Sequence, residues 1–155
     1  MKQQFTLFLF LFLGTGAFAQ DSTFWEHTWD YEAGQKEKIE RDWGREIVSY
    51  LGDMTWKTPS GRELTIRIVT SYQQITKANG FNDRCLIALV KPDHKVIKIY
   101  DMVKRHNLPI RIENNELVYK PDGEDGEEIS SALPVKFSAR FCVKGLTCFN
   151  EVSHE

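Results

Sequence analysis

From Gly61 onward the apolar residues recur at every second position, and this period of two restricts the chain to extended strands. Leu64, Ile66 and Ile68 alternate with polar residues, as in a strand that turns one face toward a core. The continuous apolar run at 85–90 indicates a strand that is covered on both faces. The sequence therefore predicts a sheet from about residue 62 onward.

A pair of asparagines predicts a tight hairpin within this sheet. Asn114 and Asn115 separate two apolar segments, 110–113 and 116–119, and asparagine tolerates the positive φ angles that a two-residue turn requires. In this register Ile112 lies opposite Leu117, so the two side chains share one side of the sheet.

The three cysteines predict one disulfide and one buried thiol. Apolar residues alternate through 135–143 as in a strand, and a three-residue turn at 144–146 places Cys142 directly opposite Cys148. Cys85 lies inside the apolar run, where a free cysteine acts as a small hydrophobic residue. A bond between Cys85 and either of the other two remains an alternative, because spacing alone does not decide connectivity.

A segment near the N-terminus has the periodicity of an amphipathic helix. Its apolar residues fall within about 120° of one another on a helical wheel; they are Ile39, Trp43, Ile47, Tyr50 and Leu51. Gly52 suits a left-handed helix cap, while Gly44 inside the segment costs roughly 1 kcal/mol relative to alanine. We predict a helix over about residues 33–51.

These patterns together predict an α+β fold. One N-terminal amphipathic helix packs on a mostly antiparallel sheet of about six strands, within a single small domain at residues 20–155. A chain of this length buries roughly two-thirds of its unfolded surface. It therefore needs neither a metal ion nor several disulfides to form a core.

The first 19 residues have the features of a secretory signal peptide. Lys2 precedes an apolar run at 5–13, and Ala17, Phe18 and Ala19 form a small-x-small cleavage signal. The alternative, a membrane anchor, requires about 20 apolar residues, which is more than this segment provides. We predict an exported protein of bacterial type, periplasmic or extracellular, with no stable membrane anchor after cleavage.

Charge and histidine spacing bear on the partners and cofactors that we expect. The sequence has 20 Lys and Arg against 22 Asp and Glu, without the clustered basic surface that nucleic acid binding requires. The four histidines, His27, His94, His106 and His154, are scattered rather than spaced as metal ligands. The acidic stretch at 122–128 does not follow the EF-hand pattern. We predict no nucleic acid partner, no metal and no cofactor.

No motif in the sequence identifies a catalytic residue, so the catalytic residues are unknown. The nucleophile elbow, in which glycine, serine and glycine stand at alternate positions, is absent. The aromatic residues Trp25, Trp29 and Tyr31 form the most suggestive candidate binding surface, because exposed tryptophan anchors protein or glycan partners. Their burial in a core is the plainer interpretation. A second candidate surface is the polar face expected of the strands, which leans basic; its residues are Thr65, Arg67, Lys98, Arg111, Lys136 and Arg140.

We therefore expect an exported binding or interaction module, of the accessory-protein or inhibitor type, whose partner is an unknown protein or glycan. The first alternative is a small extracytoplasmic hydrolase whose catalytic residues meet only in space. The second is a structural part of an envelope assembly. A hydrolase requires a concave pocket where a histidine or paired acids converge, whereas a binding module requires an exposed aromatic patch or a free strand edge.

The cysteine and signal-peptide predictions are tested together by mass spectrometry of the exported protein. We expect Gln20 as its first residue, because cleavage follows Ala19. Thiol labelling of the denatured protein should detect one thiol before reduction and three after it. Three thiols before reduction would contradict the disulfide.

Overall fold

A computed structural model of the chain describes residues 23–153, which contain ten strands and two short 3-10 helices. The 3-10 helices are Phe24–Thr28 and Arg105–Asn107. The predicted signal peptide and His154 lie outside the described residues. In chain order the strands are β1 Lys36–Arg41, β2 Gly44–Lys57, β3 Glu63–Lys77, β4 Gly80–Val90, β5 Val96–Asp101, β6 Arg111–Glu113, β7 Glu116–Tyr119, β8 Ile129–Ser131, β9 Arg140–Cys142 and β10 Cys148–Glu151.

The strands form two antiparallel sheets. The large sheet has seven strands in the order β1-β2-β3-β4-β5-β10-β9, and the small sheet has three in the order β6-β7-β8. Strands β1 to β5 follow one another as a meander, and the longest pairings join β2 to β3 and β3 to β4. The predicted α+β class, with one helix on a sheet of about six strands, is therefore wrong, because the regular structure of residues 23–153 is mostly β and its longest helix has five residues.

The predicted helix at 33–51 is instead the hairpin of β1 and β2. Gly44 begins β2 with φ +145°, and a Cβ at this position would lie 2.0 Å from the backbone oxygen of Gln74. Only glycine permits this close approach between neighbouring strands. Gly44, which we expected to weaken a helix, is thus required at the start of β2, where the strand passes close to the backbone of β3.

The helical periodicity of this segment arises because both faces of β2 are covered. Ile47 and Leu51 pack against one hydrophobic cluster, whereas Ile39 and Tyr50 belong to another on the opposite face. Apolar residues on both faces obscure the alternation that identifies a strand. A bulge between Tyr50 and Gly52 then shifts the register by one residue, so the alternation changes phase within a single strand.

Two hydrophobic clusters cover the two faces of the large sheet. On the first face the small sheet and the β9–β10 hairpin contribute Leu117, Tyr119, Phe141 and Phe149 to the core. On the second face the N-terminal segment contributes Phe24 and Trp25. The central strand β4 is buried on both faces from Cys85 to Val90, as its continuous apolar run predicts.

The two predicted hairpins have the expected registers. Ile112 pairs with Leu117, and Asn114 and Asn115 have φ angles of 50° and 60°. Cys142 pairs with Cys148 and forms a disulfide with it, which confirms the predicted bond. The strand before this turn is shorter than predicted, since β9 begins only at Arg140.

Cys85 is free and buried in β4. Burial, together with the nearby carboxylates of Asp101 and Asp83, raises the pKa of its thiol to about 12. The thiol is therefore protonated and unreactive near neutral pH. Within residues 23–153 no helix is long and apolar enough to span a membrane.

The second cluster generates a prediction about stability. Phe24 is fully buried, so Phe24→Ala leaves a cavity between the N-terminal segment and the sheet. We expect the free energy of unfolding to fall by roughly 3–5 kcal/mol, as measured by urea denaturation. The matched control is Phe81→Ala, because Phe81 is 73% exposed and its loss should change stability by less than about 0.5 kcal/mol. Equal effects of the two variants would show that the N-terminal segment does not close the core.

Candidate functional site

A groove lies on the first face of the large sheet, where the cover from the small sheet ends. The floor is formed by β2 and β3, and the segment from Arg105 to Ile110 forms one wall. The groove has two parts, with volumes of about 510 and 770 Å³. Both parts are lined by Tyr72, Arg105, Leu108 and Ile110, so they meet around these four side chains. We call this feature the groove.

Tyr72 is held in a fixed position where the two parts meet. Its hydroxyl donates a hydrogen bond to Asp83 Oδ2 at 3.0 Å and accepts one from Gln74 Nε2 at 3.0 Å. The guanidinium of Arg105 lies over the ring, 4.8 Å from its centroid, in a favourable cation–π contact. Burial and the Asp83 carboxylate raise the pKa of Tyr72, so the phenol remains neutral.

Cationic side chains line the first part of the groove. Lys36 and Lys38 lie opposite Ser49 and Ile47 in the register of β1 and β2, and both reach the groove beside Arg105. Lys38 Nζ lies 3.4 Å from Glu40 Oε1. Lys36 and Arg105 form no ion pair with any residue in 23–153. Glu37 also lines this part of the groove, but the cations outnumber it, and this excess of positive charge favours an anionic ligand.

Apolar side chains are exposed in the same place. Among the described residues four large hydrophobic side chains are exposed, and two of them, Val103 and Ile110, line the groove. Val103 is 61% exposed and Ile110 is 47% exposed. Exposed apolar surface next to polar residues in a groove is characteristic of binding sites.

The second part of the groove holds groups of both charges. Lys104, His106 and Lys120 lie there with Asp83 and Glu124. The described residues include no group of His, Cys, Asp and Glu that could hold a metal ion. The arrangement therefore offers charge, hydrogen bonds and apolar contact to a ligand.

The three aromatic residues singled out in the sequence belong to the second cluster and do not line the groove. Trp25 is 7% exposed and packs edge-on against Phe24, with ring centroids 5.5 Å apart. Trp29 is half-buried and stacks on His94 with centroids 3.6 Å apart. Tyr31 is half-buried and its hydroxyl donates a hydrogen bond to Glu37. A partner surface here would consist of Trp29 and Tyr31, and it stays a prediction.

The basic strand residues of the second candidate surface mostly interact with neighbours in the fold. Arg67 lies over the ring of Tyr50, with its guanidinium carbon 3.8 Å from the centroid. Lys98 Nζ lies 2.6 Å from Glu151 Oε1, and Arg111 pairs with Glu128 at 2.7 Å. Their charges are thus partly satisfied inside the fold.

Sequence reasoning did not find the groove. Tyr72 comes from β3 and Arg105 from the second 3-10 helix, which are far apart in the chain, and neither residue stands in a recognisable motif. The only local signal is an excess of cations at 104–106, which is also typical of an ordinary exposed loop. Comparison with protein families, with curated protein sequences and with solved structures finds no match to this chain.

The contact between Tyr72 and Asp83 generates a prediction about pH dependence. The pKa of Tyr72 is raised above the ordinary value of about 10, so the folded state favours the neutral phenol. Its contribution to stability is complete below pH 10 and is lost as pH rises through the folded pKa. Asp83→Asn removes the negative charge and should lower the pKa of Tyr72 toward its ordinary value.

This shift is measured by NMR titration of tyrosine labelled at Cζ. Urea unfolding from pH 8 to pH 11 should also show a smaller alkaline loss of stability in Asp83→Asn than in the wild type. Asp93→Asn is the control, since Asp93 lies in the exposed turn between β4 and β5. A Tyr72 titration that does not move in Asp83→Asn would contradict the assignment.

Proposed function

We propose that this chain is an interaction module that binds an extended, acidic and partly apolar segment of a partner protein in the groove. The observation that carries the proposal is a pair of cations, Lys36 and Arg105, that form no ion pair within residues 23–153 and line one groove together with exposed apolar side chains. A ligand that supplies carboxylates would balance these charges.

The shape of the groove supports an extended ligand. Its two parts share the side chains of Tyr72 and Arg105 as lining, so an occupant that fills both parts contacts these side chains along its length. Alternate side chains of an extended peptide point in opposite directions. Carboxylates could then reach the cations of the wall while apolar side chains reach Leu108 and Ile110.

Export of the protein is a part of this proposal. A disulfide between Cys142 and Cys148 is compatible with an oxidising compartment such as the periplasm or the extracellular space. The partner would then be another protein of the envelope or the surrounding medium. An anionic glycan is the other occupant that the charges would fit.

The second candidate function is a small hydrolase, and one observation favours it. His106 lines the second part of the groove with Asp83 and Glu124, which brings a histidine and two acids into one concave surface. Such a combination is where acid–base chemistry is sought. His106 is exposed, however, and exposure weakens the control that a protein exerts over a catalytic group.

The proposal is tested by fluorescence polarisation with labelled six-residue peptides. The probe alternates Glu and Leu, and two control peptides replace Leu with Ser or Glu with Lys. We expect the Glu and Leu peptide to bind most tightly. The double variant Lys36→Glu, Arg105→Gln should weaken the binding of this peptide about tenfold or more, because the groove loses the two positive charges that would attract the Glu carboxylates of the peptide.

Lys57→Glu is the matched control, because Lys57 is exposed at the far end of β2. It should bind the peptide as the wild type does. Equal weakening in Lys57→Glu would indicate a nonspecific charge effect. Tighter binding of oligogalacturonate than of any peptide would replace the protein partner with a glycan. Hydrolysis of a chromogenic ester that is abolished by His106→Ala would favour the hydrolase.

A further inference from the structure

Val103 has a backbone conformation that its side chain disfavours. Its φ angle is 65°, which lies in the left-handed region. A branched Cβ makes this region costly, and a β-branched residue found there is an outlier. The other non-glycine residues with positive φ in 23–153 are His94, Asn114 and Asn115, which are residue types that tolerate the conformation better.

The surrounding structure holds Val103 in this state through a tight turn. The amide of Lys104 donates to the carbonyl of Met102 at 2.7 Å, so the turn spans three residues with Val103 at its centre. A three-residue turn with positive φ at the centre is the rarer and more strained of the two γ-turn forms. The amide of Val103 itself donates to Asp101 Oδ1 at 2.8 Å.

Buried neighbours fix this turn further. The carbonyl of Met102 also accepts a hydrogen bond from Asn107 Nδ2 at 2.9 Å, and the amide of Met102 donates to the Cys85 carbonyl at 2.7 Å. Met102 is fully buried in the first cluster. Strain that is maintained by this many contacts commonly marks a functional position.

Burial of the Val103 side chain offsets little of the strain, because most of the side chain stays exposed. It is 61% exposed and points into the second part of the groove, where Ile110 also exposes apolar surface. Asparagine or glycine would adopt this turn with less strain. An exposed valine at this position therefore requires a reason other than stability.

We infer that Val103 is a specificity-determining contact of the groove, which holds an apolar side chain of the acidic partner segment against Ile110. The inference rests on the proposed function, because it assigns the apolar half of the ligand to the second part of the groove. The cations of the first part would hold the carboxylates. The strained turn then sets the position of the apolar contact relative to the charged one.

The test is Val103→Asn, which separates stability from binding. Asparagine accepts the left-handed conformation, so the melting temperature should rise by about 3 °C. The same variant lacks the apolar contact and should bind the Glu and Leu peptide about fivefold more weakly. Its affinity for the Glu and Ser peptide should equal that of the wild type, because the cations are unchanged.

Val135→Asn is the matched control. Val135 is 69% exposed, comes from the loop before β9, and is not among the residues with positive φ. We expect neither a rise in melting temperature nor a change in peptide affinity. This comparison excludes a general effect of replacing an exposed valine with a polar residue.

Each failure has a distinct pattern. If the wild type binds no acidic peptide, both the proposed function and this inference are overturned. If it binds the Glu and Leu peptide but Val103→Asn binds it equally well, the groove remains and the role of Val103 is refuted. If Val103→Asn does not raise the melting temperature, the strain is not a cost to the fold and the argument for its function is lost.

Discussion

Strand β3 is buried on both faces from Ile68 to Gln73 and strand β4 from Cys85 to Val90, and this double burial determines where the elements that cover the sheet must lie. A strand that is apolar on both sides requires cover on both sides, because each exposed apolar face costs roughly 25 cal/mol per Å². The N-terminal segment covers one face with Phe24 and Trp25, and the small sheet covers the other with Leu117 and Tyr119. The N-terminal segment and the small sheet therefore pack on opposite faces of the long hairpin that β3 and β4 form.

Burial on the second face also includes the carboxylate of Glu46, which neighbouring side chains compensate. Glu46 is fully buried in β2 and forms an ion pair with Arg41 at 2.8 Å, while Ser71 Oγ donates to it at 2.6 Å. A buried carboxylate without such partners would be costly. The pair connects β1 to β2 and so fixes the outer hairpin, on whose other face Lys36 and Lys38 lie beside the groove.

The sequence is informative wherever one physical signal dominates. The alternation of Leu64, Ile66 and Ile68 and the run in β4 predict strands, and the turn residues Asn114 and Asn115 predict the register of their hairpin. The disulfide follows from hairpin geometry in the same way. Each of these features depends on residues that are close in sequence.

The same reasoning fails where burial of both faces of a strand changes the apolar pattern. Ile47 and Tyr50 look like one helical face but lie on opposite faces of β2, because residues three apart in a strand point to opposite sides and both sides are covered here. The groove is inaccessible to sequence reasoning for a related reason, since Tyr72, Arg105 and Lys36 meet only after three separate segments have packed together.

The position of Cys85 has a consequence for how the disulfide forms during folding. Cys142 and Cys148 are separated by six residues, whereas Cys85 lies 57 residues before Cys142. Closing the longer loop in an unfolded chain costs about 2 kcal/mol more in entropy. The native bond is thus already favoured while the chain is unfolded, and burial of Cys85 in β4 then removes the competing thiol from reach. Three cysteines can therefore form a single disulfide, because the smaller entropy cost of the short loop and the burial of Cys85 both favour the bond between Cys142 and Cys148.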